Sequence, residues 1–191
     1  MLAISKSIQS VFDLQNKKSL LPLLGIPIII AAYLIFIASN HDFITLIRFS
    51  MVIGFGYVAA YVDFKIRKVP NKLVLAMLTC WAVIMSVYIF IDISSAIRLL
   101  VQSLIGGGTA GVFFLFIYLV SRKGLGGGDV KLVAVMGLYL TFAQLMPMLF
   151  FSSILAALFS GILLLTKRAT MKSSIPLVPF LYLGALATIF L

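Results

Sequence analysis

Seven apolar runs, near residues 20–39, 43–62, 73–91, 99–121, 130–143, 147–166 and 174–191, leave little of this 191-residue chain for anything else. A bilayer core is about 30 Å thick, and a helix needs about 20 apolar residues to cross it. Most of the runs meet that length. The expected fold is therefore all-α, a polytopic membrane helix bundle with six or seven transmembrane helices. The fifth run is short, which leaves it tilted, partly re-entrant or merged with its neighbour. Composition agrees: 63% of the residues are hydrophobic and only 10% charged, too little polar surface to coat a water-soluble globule.

Ahead of the first run, Leu2, Ile4, Ile8, Phe12 and Leu14 recur at near-helical spacing among polar residues. That pattern predicts a cytoplasmic interfacial helix over residues 1–19, lying on the membrane. The segment is long for a cleaved signal peptide, and no small-residue cleavage site follows the first run. Residues 20–191 are expected to form one transmembrane domain, because the loops are too short to hold another. Glycines in the spans, Gly54 and Gly56, Gly106, Gly107, Gly108 and Gly111, and Gly161, let helix backbones approach where lipid offers no hydrophobic drive.

The fifteen Lys and Arg exceed the five acids by ten. On so apolar a chain this balance points to membrane topology and anionic lipid rather than nucleic acid. With the N-terminus in the cytoplasm and alternating spans, thirteen of the fifteen cations fall on the inner side. The exceptions are Arg48, near the outer end of the second span and able to snorkel, and Arg98, expected in an outer loop. The same alternation places Asp63 and Asp129 at the cytoplasmic face, with Asp42 and Asp92 outside.

Asp129 ends Gly126-Gly127-Gly128-Asp129, ahead of Lys131. A P-loop would require a GK[ST] ending, and a dinucleotide fingerprint would need glycine at 129. A helix N-cap explains the aspartate equally well, since its carboxylate meets the positive end of the helix dipole. Asp63, in YVDFKIRKVPNKL, could simply pair with Lys65 or Arg67. Yet acids at membrane depth are costly and rare, and two on one side can form a dyad that shares a proton. One carboxylate then activates water while its partner donates to a scissile carbonyl. Neither acid has a fixed role at this stage. The glycines are expected to make room for an extended peptide. His41, the sole histidine, falls on the opposite side, which excludes a Ser-His or Cys-His relay with these loops. Cys80 is the sole cysteine; no internal disulfide, CxxC site or zinc-protease pattern is possible, and no metal is expected. The alternative from another class is a small ion- or proton-coupled transporter component, which would place its acids on broken helices at mid-membrane.

VDFKIRKVPNKL and GLGGGDVKL resemble the paired aspartate motifs of the type IV prepilin leader peptidases, the GxGD membrane aspartyl proteases. The resemblance covers about residues 54 to 140. IPLVPFLYLGAL is similar to a further family segment, with Pro176, Pro179, Phe180 and Gly184 aligned and Val178 where glycine is common. The resemblance implies catalytic Asp63 and Asp129, support from Gly126, Gly127, Gly128 and Lys131, and a pilin-like precursor protein cut at the cytoplasmic membrane face. Larger members add a region with paired cysteines associated with N-methylation. This chain resembles the short form, which implies peptidase activity without methylation, S-adenosylmethionine or other cofactor.

Overall fold

A computed structural model describes residues 42–121, 125–166 and 176–191. The expected interfacial helix 1–19, the first span 20–39, His41 and the cations at 122–123 and 167–172 lie outside the described residues. Five helical runs follow in order: α1 (Phe43–Ile66), α2 (Asn71–Ile91), α3 (Ile93–Val120), α4 (Gly127–Leu165) and α5 (Val178–Phe190). All regular structure among the described residues is helical. The first four runs are long and apolar enough to cross a membrane, whereas α5 is shorter. Apolar side chains crowd the outer surface as well as the core: Phe90 is 91% exposed, Val112 70% and Phe116 64%. Such surface requires a lipid solvent. The chain is an all-α, multi-pass membrane protein.

α4 is not one rod. Thr141, at φ 60° and ψ 174°, breaks it into arms 127–140 and 142–165. The contacts on either side show how the chain turns. Gly106 lies against Gly137 and Thr141, while Gly111 lies against Ala134, so the first arm runs antiparallel to α3. Beyond the break, Leu145, Met146, Leu149, Phe150 and Ser153 line one groove with Thr109, Ala110 and Phe113 of α3, and Ser152 and Phe159 meet Gly184 and Phe180 in turn as the arm runs back toward the start of the last helix. The second arm thus runs parallel to α3, and Thr141 is the tip of a helical hairpin. Thr141-Phe142-Ala143-Gln144 has the S/T-x-x-E/Q spacing of a helix start; the Thr141 hydroxyl donates to Gln144 Oε1 at 2.9 Å.

The hairpin explains why the fifth apolar run is short. Its tip meets α3 at Gly106, about 20 Å along that helix from Ile93 at 1.5 Å per residue. The first arm, about 21 Å long by the same rise, falls short of a bilayer core of about 30 Å. The segment is therefore re-entrant and merged with its neighbour, two of the forms left open by its length. Arg48 secures it. Instead of snorkelling, Arg48 is 3% exposed, and its guanidinium donates to the Tyr139 carbonyl in the arm's last turn. A cation at a helix C-terminus satisfies carbonyls that have no intrahelical donor. The Tyr139 hydroxyl donates in turn to the Met77 carbonyl of α2 at 2.8 Å.

The remaining packing follows small residues. Gly106 and Gly137 face each other so closely that a Cβ on either would stand 2.6–2.7 Å from the other's carbonyl oxygen. Gly184 of α5 fits against Ser152 and Met148 of the second arm, and Gly56 of α1 against the Tyr182 ring. Arg98 belongs to α3 rather than to an outer loop, because Asp92 starts that helix six residues before the main apolar run. Its carboxylate accepts the amides of Ser94 and Ser95 at 3.0 and 3.2 Å.

Candidate active site

The antiparallel order brings the C-terminus of α1 and the N-termini of α2, α4 and α5 to one end of the bundle. Asp63 stands in the last turn of α1, buried at 3% exposure. After it the chain turns through Arg67, in the left-handed region at φ 54°, whose amide donates to the Asp63 carbonyl at 2.8 Å. This turn is what the run RKVPN encodes: Arg67 ends α1 in the left-handed conformation, and Pro70 caps α2 and holds Val69 before it toward extended backbone. Asp129 stands in the first turn of α4, half-buried, with its carboxylate accepting the Gly126 amide at 3.3 Å.

The two acids share this end. Burial and then the Asp63 charge both favour the protonated Asp129 carboxyl, although 65 intervening residues separate the two acids in the sequence. Three contacts lock their segments together. A Cβ on Gly128 would meet the Val69 carbonyl oxygen at 2.7 Å, so only glycine lets the start of α4 touch the loop between α1 and α2. Lys131 Nζ donates to Asn71 Oδ1 at 3.3 Å, tying α4 to α2. The Val178 amide, at the first residue of α5, donates to Asp63 Oδ2 at 3.1 Å. Lys65, a possible partner of Asp63, instead lies 4.7 Å from the Tyr61 ring centroid.

Two of the three glycines have close contacts of their own within the protein. Gly128 accommodates Val69, and Gly126 lies against the Asp129 carboxylate, whereas Gly127 has open space beside it. Capping alone is seen in purer form at Asp92. That carboxyl is exposed and accepts hydrogen bonds from Ser95 and Ser94, which hold it down at about 2. Asp129 makes a single longer bond to an amide and faces a second acid. Beside it, an apolar groove of about 460 Å³ runs between α2 and the first arm of α4, headed by Asn71 and Lys131 and walled by Val74, Leu78 and Val135. Among the described residues no cluster of three His, Cys, Asp or Glu could hold a metal.

Sequence reasoning placed Asp63, Asp129 and Lys131 at one end and missed two participants. Val69 carries no chemical signal of its own. Val178 acts through its backbone; the flanking Pro176 and Pro179 were the available sign that this stretch is shaped for a purpose.

Residues 50–161 match the Type IV leader peptidase family. The chain belongs to that family. The matched stretch contains both aspartates and most of the hairpin, and covers more than half of the chain. A prepilin leader peptidase/N-methyltransferase of Bacillus subtilis (strain 168) is 26% identical over 135 residues, 68% of this chain and 49% of that protein. Another of the same name, from Xanthomonas campestris pv. campestris, is 30% identical over 79 residues, 41% of this chain and 28% of that protein. The chain thus spans half or less of the length of these curated relatives. No solved structure matches it. Nothing in these relatives favours a transporter.

Proposed function

We propose that this protein is a membrane-embedded aspartyl endopeptidase that cuts the leader from type IV pilin-like precursors. Asp63 and Asp129 are the catalytic pair, supported by Gly126, Gly127, Gly128 and Lys131. The observation that carries the reading is the convergence of two acids, from α1 and α4, at one end of a bundle that holds few others. Membership of a leader peptidase family supports the reaction class, and the names of the relatives support the substrate class. By the distribution of cations the protein resides in the cytoplasmic membrane with its N-terminus and the site end inside, residues 1–19 lying along that surface and residues 20–191 forming the peptidase domain. We place no methyl transfer in these residues, since the paired cysteines of the larger members are not among them.

The chemistry is acid–base hydrolysis. One carboxylate takes a proton from water as the oxygen adds to the scissile carbonyl carbon, while the other carboxyl protonates the carbonyl oxygen. Collapse of the resulting diol returns a proton to the leaving nitrogen, and the pair regains its single shared proton. Asp63 is buried and Asp129 half-buried, so their charges interact more strongly than in bulk water while the exposed side of Asp129 leaves water a way in.

The test is cleavage of a tagged pilin-like precursor co-expressed with the protein, with Edman sequencing and mass measurement of the product. Asp63→Asn and Asp129→Asn are each expected to lower the rate at least about a hundredfold, the usual worth of a general acid or base, while remaining in the membrane. A product cut equally well by both variants would remove the aspartates from catalysis. A product heavier by one methyl group would overturn the assignment of cleavage alone.

A further inference from the structure

The structure gives Asp63 and Asp129 unequal surroundings. Asp63 Oδ2 accepts the Val178 amide at 3.1 Å across 115 residues of sequence, in a buried setting. That amide opens α5, so the positive end of a helix dipole points at the same carboxylate. Burial works against the charge on Asp63, while the Val178 amide and then the Arg67 cation, at the end of α1, work for it. Asp129 has one amide, that of Gly126 at 3.3 Å, and faces the charge of Asp63. Of the nearby lysines, Lys65 is turned over Tyr61 and Lys131 is bonded to Asn71. An N–H can only donate, so it favours the ionised form of the carboxyl it meets.

We propose that the Val178 backbone amide is a positioning group that fixes the roles of the pair: Asp63 is the ionised member that activates water, and Asp129 holds the proton given to the scissile carbonyl. This assignment rests on the peptidase reading above. In the first step Asp63 takes the water proton as the C–O bond forms, and the Asp129 proton moves to the carbonyl oxygen. In the second, Asp63 gives its proton to the leaving nitrogen as the C–N bond breaks, and Asp129 recovers a proton from the diol. Val178 stays bonded to Asp63 throughout and touches no reacting atom. The arrangement also gives the Pro176–Pro179 stretch a purpose, because Leu177 and Pro179 start α5 where its first amide meets Asp63.

Val178 occupies the first helical position, where proline is well tolerated. Val178→Pro removes the donor and also disfavours the αR backbone of Leu177 before it, so its melting is compared with the parent's; Val178→Ala keeps the donor and trims the side chain. The pH dependence of kcat/KM on a tagged precursor is measured for both in vesicles. For Val178→Pro the acid limb is expected to move up by about one pH unit, a tenfold loss on that limb that higher pH restores, as suits loss of one charge-assisted hydrogen bond. Val178→Ala should keep the parental limb. A uniform loss at every pH in Val178→Pro, or an unmoved profile, would overturn the proposal.

A second measurement needs no proline variant. A hydrophobic carbodiimide reacts with protonated carboxyls, and peptide mapping locates the label. At neutral pH it is expected on Asp129, where burial and then the Asp63 charge retain the proton, and it should fall there in part in Asp63→Asn, which removes the charge but not the burial. Labelling mainly on Asp63, or undiminished on Asp129 in that variant, would reverse or remove the assignment. If instead Asp63→Asn and Asp129→Asn both cut normally, the peptidase reading itself falls, which a silent Val178 variant alone does not imply.

Discussion

Two glycine triplets, Gly106-Gly107-Gly108 in α3 and Gly126-Gly127-Gly128 at the start of α4, look alike in the sequence and are used differently. In the first, Gly106 and Gly107 face the first arm of α4, so that two rigid helices meet backbone to backbone. In the second, Gly128 meets the single carbonyl of Val69 in a loop, and Gly126 meets a side chain. Each triplet has one glycine with nothing beside it, Gly108 and Gly127. The contrast teaches that the cost of adding a methyl group depends less on the gap than on what forms its far wall. A helix cannot move one carbonyl alone, whereas a loop can shift, and here the loop's shift is transmitted to Asp129 and Asn71.

The largest effect is therefore expected at the helix seam. In Gly106→Val the new Cβ would stand 2.6 Å from the Gly137 oxygen and 2.7 Å from the Thr141 carbonyl carbon. Overpacking against backbone on both sides should cost about 3 kcal/mol or more, and the hairpin tip would be driven from α3. Loss of folded protein from the membrane fraction, with a collapsed melting transition in detergent, is the expected outcome. A stable Gly106→Val protein would show that the seam is not tight.

Gly128→Ala comes next and separates fold from chemistry. Its Cβ would press on Val69, which sits in the loop between α1 and α2. The loop can give way, so melting should change little. The displacement moves Asp129 relative to Asp63, and a misplacement of about 1 Å can cost about a hundredfold in rate. Cleavage should fall by about that factor in a protein that melts normally. Equal losses in stability and activity would make both triplets simple packing devices.

How much of this was legible beforehand depends on the kind of signal. Long apolar runs and the distribution of cations placed Asp63 and Asp129 at one end, since both reflect the solvent rather than particular contacts. The motif around Gly128-Asp129 pointed to the same pair. The hairpin was half-visible: the fifth run was too short, but hydropathy is blind to a turn inside an apolar stretch, and the start signal Thr141-x-x-Gln144 went unread. Arg48 was misjudged for a related reason. A charge near a span end usually reaches for water, and nothing local shows that the chain will offer it a buried carbonyl 91 residues later. Val178 stood out only as a departure from glycine, and its contact with Asp63 was not legible because it is made by the backbone amide.

Asp92 gives a smaller effect and an internal control for Asp129, since both acids stand at helix starts. The Asp92 carboxyl is held at about 2, below the ordinary aspartate range near 3.9. A carboxyl depressed on folding contributes stability that is present above its unfolded value and is lost as pH falls toward the folded one. Asp92→Ala should thus lower the melting temperature slightly at pH 6, with the difference from the parent narrowing as pH approaches 2. Cleavage should be unchanged. A large loss of cleavage in Asp92→Ala would mean that helix starts anywhere in the bundle disturb the site, and the contrast with Asp129 would be lost.

The smallest effects belong to the two open glycines, and they bear most directly on the substrate. Alanine is more helix-favourable than glycine by about 0.8–1 kcal/mol in a helix interior, so Gly108→Ala should raise the melting temperature slightly and leave cleavage untouched. Gly127 is exposed at the first position of α4, where a methyl group meets nothing in the protein. Gly127→Ala should therefore melt as the parent does, and on protein contacts alone it should also cut as the parent does. Because Gly126 and Gly128 are committed to Asp129 and Val69, Gly127 is the glycine of the triplet still open to an extended peptide. If Gly127→Ala melts normally yet loses cleavage through a raised KM, the methyl group must be meeting the substrate, and that single position is where the peptide backbone passes.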